Sequence, residues 1–213
     1  MTFAVGIFDL FCFVIPGALQ LSILAYVLGR LGLAELSAVA AIPTVLLVAG
    51  AVVASYLLGR LCHPLAAQLE RLVPRWRLGP EAARQAFLVR VPQAQDRPYV
   101  QADPALLLAA AETHDRDAAG DIGTMRAQSL MLRNTALALA LAMVVALVEL
   151  VVGGHRVLAG GSAALLLAAA VGAMREGRKL WHVSRLKTLE LCFWMPDIDQ
   201  KLTKQSRSPH ESA

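Results

Sequence analysis

Hydrophobic positions along this chain fall into four long runs, separated by polar stretches that proline punctuates. The first run, from about Phe3 to Leu28, holds a single charge, Asp9. The second, Leu36 to Leu58, is uncharged over twenty-three residues, enough to cross a hydrocarbon core of about 30 Å at about 1.5 Å per residue. The third, Thr135 to Gly153, carries only Glu149, and the fourth, Val157 to Met174, carries no charge. Both lie near the short limit for a membrane span, so little tilt is expected. The first run has neither a basic leader nor a small-x-small cleavage site, and it reads as a retained anchor.

Seven residues, Gly29 to Glu35, join the first two runs, and Gly154-His155-Arg156 joins the last two. Links this short bring consecutive helices back alongside each other as antiparallel hairpins. Of the 20 basic residues, only Arg30 and Arg156 fall in these links. The rest lie between Arg60 and Arg133 or beyond Met174, with Arg60, Arg133, Arg175, Arg178 and Lys179 beside span ends. Positive charge is retained on the cytoplasmic side. The central region and both termini are therefore expected in the cytoplasm of a cell whose inner membrane carries the four spans.

The central region is interrupted by Pro64, Pro74, Pro80, Pro92, Pro98 and Pro104, which divide it into short helices and turns. Leu65, Leu69, Leu72 and Val73 form an apolar stripe opposite Glu70 and Arg71, the signature of an amphipathic helix. Gly79-Pro80-Glu81 and Asp103-Pro104 are good helix starts, with proline in the first turn and an acid or a cap beside it. The stretch Val91 to Gln101 reads as loop or as a short extended pair. Gly120 to Gly123 reads as a linker, after which a helix runs unbroken into the third span. Beyond the fourth span, Leu180, Val183, Leu186, Leu189 and Phe193 recur every three to four residues, extending that helix to about Trp194, where Pro196 ends it.

The expected fold is thus an all-α membrane protein, with four transmembrane helices as two antiparallel hairpins. A small helical cytosolic region lies between them, and a C-terminal helix extends the fourth span. The boundaries fall at 1–59 for the first hairpin, 60–122 for the cytosolic region and 123–174 for the second hairpin with its cytosolic extension. A basic amphipathic helix follows at 175–195 and a flexible tail at 196–213.

Composition strengthens the membrane reading: 57% of residues are hydrophobic and 17% charged, a balance that one soluble core of this size does not hide. The formal charge of +4 is spread around apolar spans and interleaved with acids. Anionic lipid headgroups, not nucleic acid, are its expected partners. Cys12, Cys62 and Cys192 show no pairing pattern, and the five histidines show no metal-ligand spacing. Neither a cofactor nor a metal is expected. Glu112, His114, Asp115, Asp117 and Asp121 make the densest polar cluster, but Arg116 sits inside it and the order fits no calcium loop. A solvated helix end is the simpler reading. Phosphate-loop, dinucleotide, nucleophile-elbow and zinc-protease motifs are all missing, so no enzymatic activity is expected.

Three groups of residues invite function. Asp9, Pro16 and Gln20 share one helical face, where a carboxylate, a kink and an amide can line a polar path or bind a neighbouring helix. Alternatively, Asp9 caps a helix that begins at Leu10. Glu149 joins this polar set at the outer end of its span, where pairing with His155 or Arg156, or snorkelling to the surface, is expected. Gly160, Ala164, Ala168 and Gly172 recur every fourth residue of the fourth span, and Ala138, Ala142 and Ala146 do so in the third. Small residues at that spacing allow close backbone approach. Arg178, Lys179, Trp181, Arg185, Lys187 and Trp194 mark a membrane-interface or partner-binding helix.

The layout is similar in outline to membrane-acting effectors of bacterial defence systems. The expected function is a non-enzymatic membrane protein that self-associates, docks a cytosolic protein or responds to a small-molecule signal, and forms a pore or perturbs the bilayer. The competing expectation is a small transporter or channel component that uses Asp9, Gln20 and Glu149.

Overall fold

The computed structural model describes residues 2–33, 43–72, 80–153, 156–196 and 198–199. The chain links around Glu35, Pro74 and His155 and the polar tail from Lys201 lie outside the described residues, as does the side chain of Asp9. Among the described residues every regular element is helical: α1 (Thr2–Arg30), α2 (Thr44–Leu72), α3 (Pro80–Arg90), α4 (Pro104–His114), α5 (Arg116–Val152) and α6 (Arg156–Phe193). Two short 3-10 turns, Pro92–Ala94 and Pro98–Gln101, occupy the stretch that reads in sequence as loop or extended pair. Proline opens each turn by supplying the required φ without needing a hydrogen-bond donor.

Four of the helices, α1, α2, α5 and α6, are long and apolar enough to cross a membrane. Their surfaces agree with that assignment. Val157 is 89% exposed and Val45 80% exposed, which an aqueous surface tolerates in single residues but not as bands along four helices.

Three helix limits differ from expectation. Pro64 does not end its helix, since α2 runs through it to Leu72. An internal proline forfeits one backbone bond, and here packing holds the turns on either side: Ala66 is 1% exposed and the His63 ring meets Phe13 edge-on at 6.0 Å between centroids. Gly120 and Gly123 lie inside α5 and are not a linker. That helix starts early because Asp115 caps it, accepting the Ala118 N–H at 3.0 Å. Finally, α1 already runs from Thr2, so Asp9 is an internal helical residue and not a cap at Leu10.

The chain divides into two compact units, one of residues 1–77 and 127–177 and the other of residues 78–126 and 178–213. In the first unit, α1 lies against α2 through a crossing built on glycine. A methyl group placed at Gly17 would fall on the Ser55 carbonyl, and one at Gly59 on the Phe13 carbonyl. Backbones this close exclude any larger residue and gain dispersion contacts that lipid cannot match. The buried face of α1 comprises Cys12, Phe13, Pro16, Gly17 and Gln20. Elsewhere in this unit α5 meets α6 where Ser129 donates to the Gly177 carbonyl at 2.7 Å.

The second unit has a core of its own. Phe87, Tyr99, Leu107 and Ala111 are essentially unexposed and cluster with Leu186, Leu189 and Cys192 from α6. Arg97 pairs with Asp199 at 2.6 Å, and Asp199 also accepts the Tyr99 N–H at 3.3 Å. Burial pushes the Tyr99 phenol up to about 12, so it is neutral throughout the physiological range.

Candidate functional site

Pro16 and Gln20 come together as the sequence pattern requires, both turned into the packed face of α1. Gln20 is 5% exposed, and neither its Oε1 nor its Nε2 meets a partner among the described residues. Other polar side chains lie inside the same unit. Ser55 is 3% exposed on α2, and Asn134 of α5, 1% exposed, shares a 3.3 Å contact between its Oδ1 and His63 Nδ1. Cys12 Sγ donates to the Ala127 carbonyl at 3.1 Å. Sequence reading passed over Ser55, His63 and Asn134. The available signal was the four-residue period Ala51, Ser55, Gly59, which continues at Cys62 and His63 around the same face of α2.

An unpaired amide in a dry interior costs roughly 1–3 kcal/mol by protein mutational data. Gln20→Leu, nearly equal in volume, is therefore expected to raise thermal stability in detergent. A fall in stability would mean that the amide finds its partner in an assembly of chains, and would count against an orphaned role.

Glu149 stands apart from that face. It pairs with Arg30 Nε at 3.0 Å and accepts the Tyr26 hydroxyl at 3.1 Å. Among the described residues the partners of Glu149 are thus residues of α1, more than a hundred positions away in the chain, and not Arg156; His155 lies outside the described residues. A broad cleft of about 630 Å³ opens here between α1, α5 and α6, with Ala142, Ala146 and Ala159 among its walls.

Of the small-residue series of α6, only Gly160 is half-buried, with Leu150 Cδ1 3.7 Å from a built Cβ. Ala164, Ala168 and Gly172 are exposed, whereas Ala163, Met174 and Gly177 form the buried face. Gly177 makes the closest approach, 3.2 Å from a built Cβ to both Leu132 Cβ and the Ser129 oxygen.

The basic and aromatic residues that follow the fourth run are split. Arg178 is buried, Arg185 lies over the Trp181 ring at 3.9 Å, and Lys179, Lys187 and Trp194 are exposed. The apolar side of this helix is covered by the second unit's own core, and so it is not an open interfacial face. Of the acidic cluster, Asp115 caps α5, and among the described residues no three His, Cys, Asp or Glu side chains converge as metal ligands.

A second cavity, of about 210 Å³, lies in the second unit beside Arg84, Asp103, Arg185 and Thr188. No family model matches the chain, and comparison with curated proteins and with solved structures finds no relative for it.

Proposed function

We propose that this chain is a non-enzymatic, four-span protein of the cytoplasmic membrane that self-associates and couples a signal or docked partner to a change in the bilayer. In this reading the spans form two antiparallel hairpins, and the second unit and both termini lie in the cytoplasm. The observation that carries it is the pairing of four lipid-length helices with a separate compact unit that has a core of its own. A mere anchor has no need of such a unit.

Several features support the finer parts. The register of the first crossing, Gly17 against Ser55 and Phe13 against Gly59, favours a hairpin. The scarcity of basic residues near Arg30 and Arg156 favours those ends outside. Exposure of Ala164, Ala168 and Gly172 leaves a small-residue face for a second copy of the chain, because α5 already occupies another side of α6.

Cysteine labelling at Gln93 and Arg156 is expected to report cytoplasmic and external locations respectively. For assembly, Ala164→Leu and Ala168→Leu should shift the detergent-solubilised protein to smaller species, while Ala169→Leu, exposed but off the stripe, should not. Identical mass distributions for all three variants would remove the stripe from the reading.

The alternative, a small channel or transporter, is favoured by one observation, the Gln20 amide within a span that meets no partner among the described residues. Loss of ion flux in liposomes on Gln20→Leu, with assembly intact, would select it.

A further inference from the structure

The cavity of the second unit has an unusual charge arrangement. Its polar wall holds Arg84, Arg185 and Thr188 together with Gln101 and the carboxylates of Glu81 and Asp103, and its apolar wall holds Val100, Leu107 and Leu189. Arg126 stands behind that wall, donating to the Pro104 carbonyl and to Thr188 Oγ1, each at a long 3.4 Å. Both acceptors are neutral. Arg126 and Arg185 are close enough to repel each other, and the carboxylate that faces both is Asp103. That carboxylate is already committed as the cap of α4, accepting the Ala105 N–H at 2.8 Å.

Arg84 is little better neutralised. Its contact with Glu81 is loose, 3.6 Å to a carboxylate that is 69% exposed, and its Nε is buried without a hydrogen-bond partner. Arg185 makes no ion pair among the described residues; the Trp181 ring supports its face and thereby fixes the plane of its donors. Guanidiniums grouped at one cavity and partly withdrawn from water are stabilised most by a ligand with two negative charges and several acceptor oxygens.

We infer that this cavity binds a phosphate monoester with a compact apolar body, gripped by Arg84 and Arg185 and backed by Arg126. The phosphate supplies three oxygens and a charge of about −1.5 to −2 at neutral pH, which a carboxylate does not equal. The modest volume and the wall of Val100, Leu107 and Leu189 select a small body over a polymer. A soluble phosphorylated metabolite and a lipid with a terminal phosphate share this chemistry. The inference deepens the reading of the second unit as signal-responsive and rests on it for the role of the ligand, while binding itself stands on the cavity.

The test uses the full chain in phosphatidylcholine nanodiscs, titrated calorimetrically with phenyl phosphate. Saturable binding at one site is expected, with phenol and inorganic phosphate both weaker. Arg84→Gln and Arg185→Gln should each lower affinity tenfold or more, and Lys187→Gln, an exposed neighbour outside the cavity, should leave it unchanged. Arg185→Lys, which keeps the charge but loses the planar fork, should fall between. Unaltered circular dichroism melts will show that the variants remain folded.

In a second arm, nanodiscs containing phosphatidic acid replace the soluble ester. Competition with phenyl phosphate that disappears in Arg185→Gln supports the site and names the lipid as its source. Competition absent, with phenyl phosphate still bound, supports the site and names the soluble ester. Binding of neither probe, or binding that survives both arginine variants, overturns the inference. Dye leakage from liposomes is read separately, so failure of the bilayer-perturbing function leaves the binding result legible.

Discussion

Gly59→Leu will loosen the first helix pair and lower the apparent melting temperature in detergent by roughly 6–12 °C, the shift that about 3 kcal/mol produces in a chain of this size. The reason is geometric. Even a single added carbon at Gly59 meets the backbone of Phe13, with the carbonyl carbon at 2.9 Å and Cα at 3.2 Å. Backbone cannot rotate away as a side chain can, so the helices must separate. Overpacking of a fitted contact typically costs 1–3 kcal/mol, and this clash belongs at the upper end. Gly50→Leu is the matched control on the same helix, since nothing lies within 4 Å of a Cβ there. Lipid should accept that leucine without penalty. Equal melting of the two variants would show that the α1–α2 crossing is not held by its glycines.

Phe87→Ala is expected to cost about 3–5 kcal/mol, the usual range for emptying a fully buried aromatic site. Phe87 is 0% exposed and its ring meets Tyr99 edge-on at 6.4 Å between centroids. A unit this small has little stability beyond that loss. The readout is limited trypsin digestion: Arg84 and Arg90 should become cleavable under conditions in which the parent chain resists. Tyr99→Phe is the informative companion. It keeps the ring and removes a buried hydroxyl that has no partner among the described residues, so digestion should be no faster than in the parent. Rapid cleavage of Tyr99→Phe would mean that the hydroxyl is satisfied in the folded chain, and parental resistance in Phe87→Ala would mean that the core does not hold the unit together.

The two variants act on different physics. Around Gly59 stability comes from close approach of backbones in a setting where lipid competes equally for apolar side chains. Around Phe87, if the second unit lies in the cytoplasm as proposed, it comes from withdrawal of apolar area from water, which has no counterpart inside a bilayer. A chain with both kinds of unit is expected to melt in two steps, with Gly59→Leu moving one and Phe87→Ala the other.

Length and apolar continuity were enough to locate the four long helices, because no soluble packing accommodates Leu36–Leu58 or Val157–Met174 free of charge. The starts at Pro80 and Pro104 were equally legible, since proline and a capping acid act within one turn. The placement of Pro16 and Gln20 on one face followed from helical periodicity alone. What reached beyond a few turns did not show. Pro64 acts as a breaker in isolation, and contacts made by distant residues hold the turns around it; the glycines at 120 and 123 read as a linker although the Asp115 cap starts their helix upstream of both. The partner of Glu149 proved to be Arg30 and not its neighbour Arg156, because the choice depends on which helices lie together. Arg84, Arg126 and Arg185 are scattered over about a hundred residues with no motif between them. Local sequence determines helix and span, which are governed by interactions within a turn or with lipid. Tertiary structure alone decides which polar groups meet, since that depends on helix pairings whose energies arise from residues far apart in the chain.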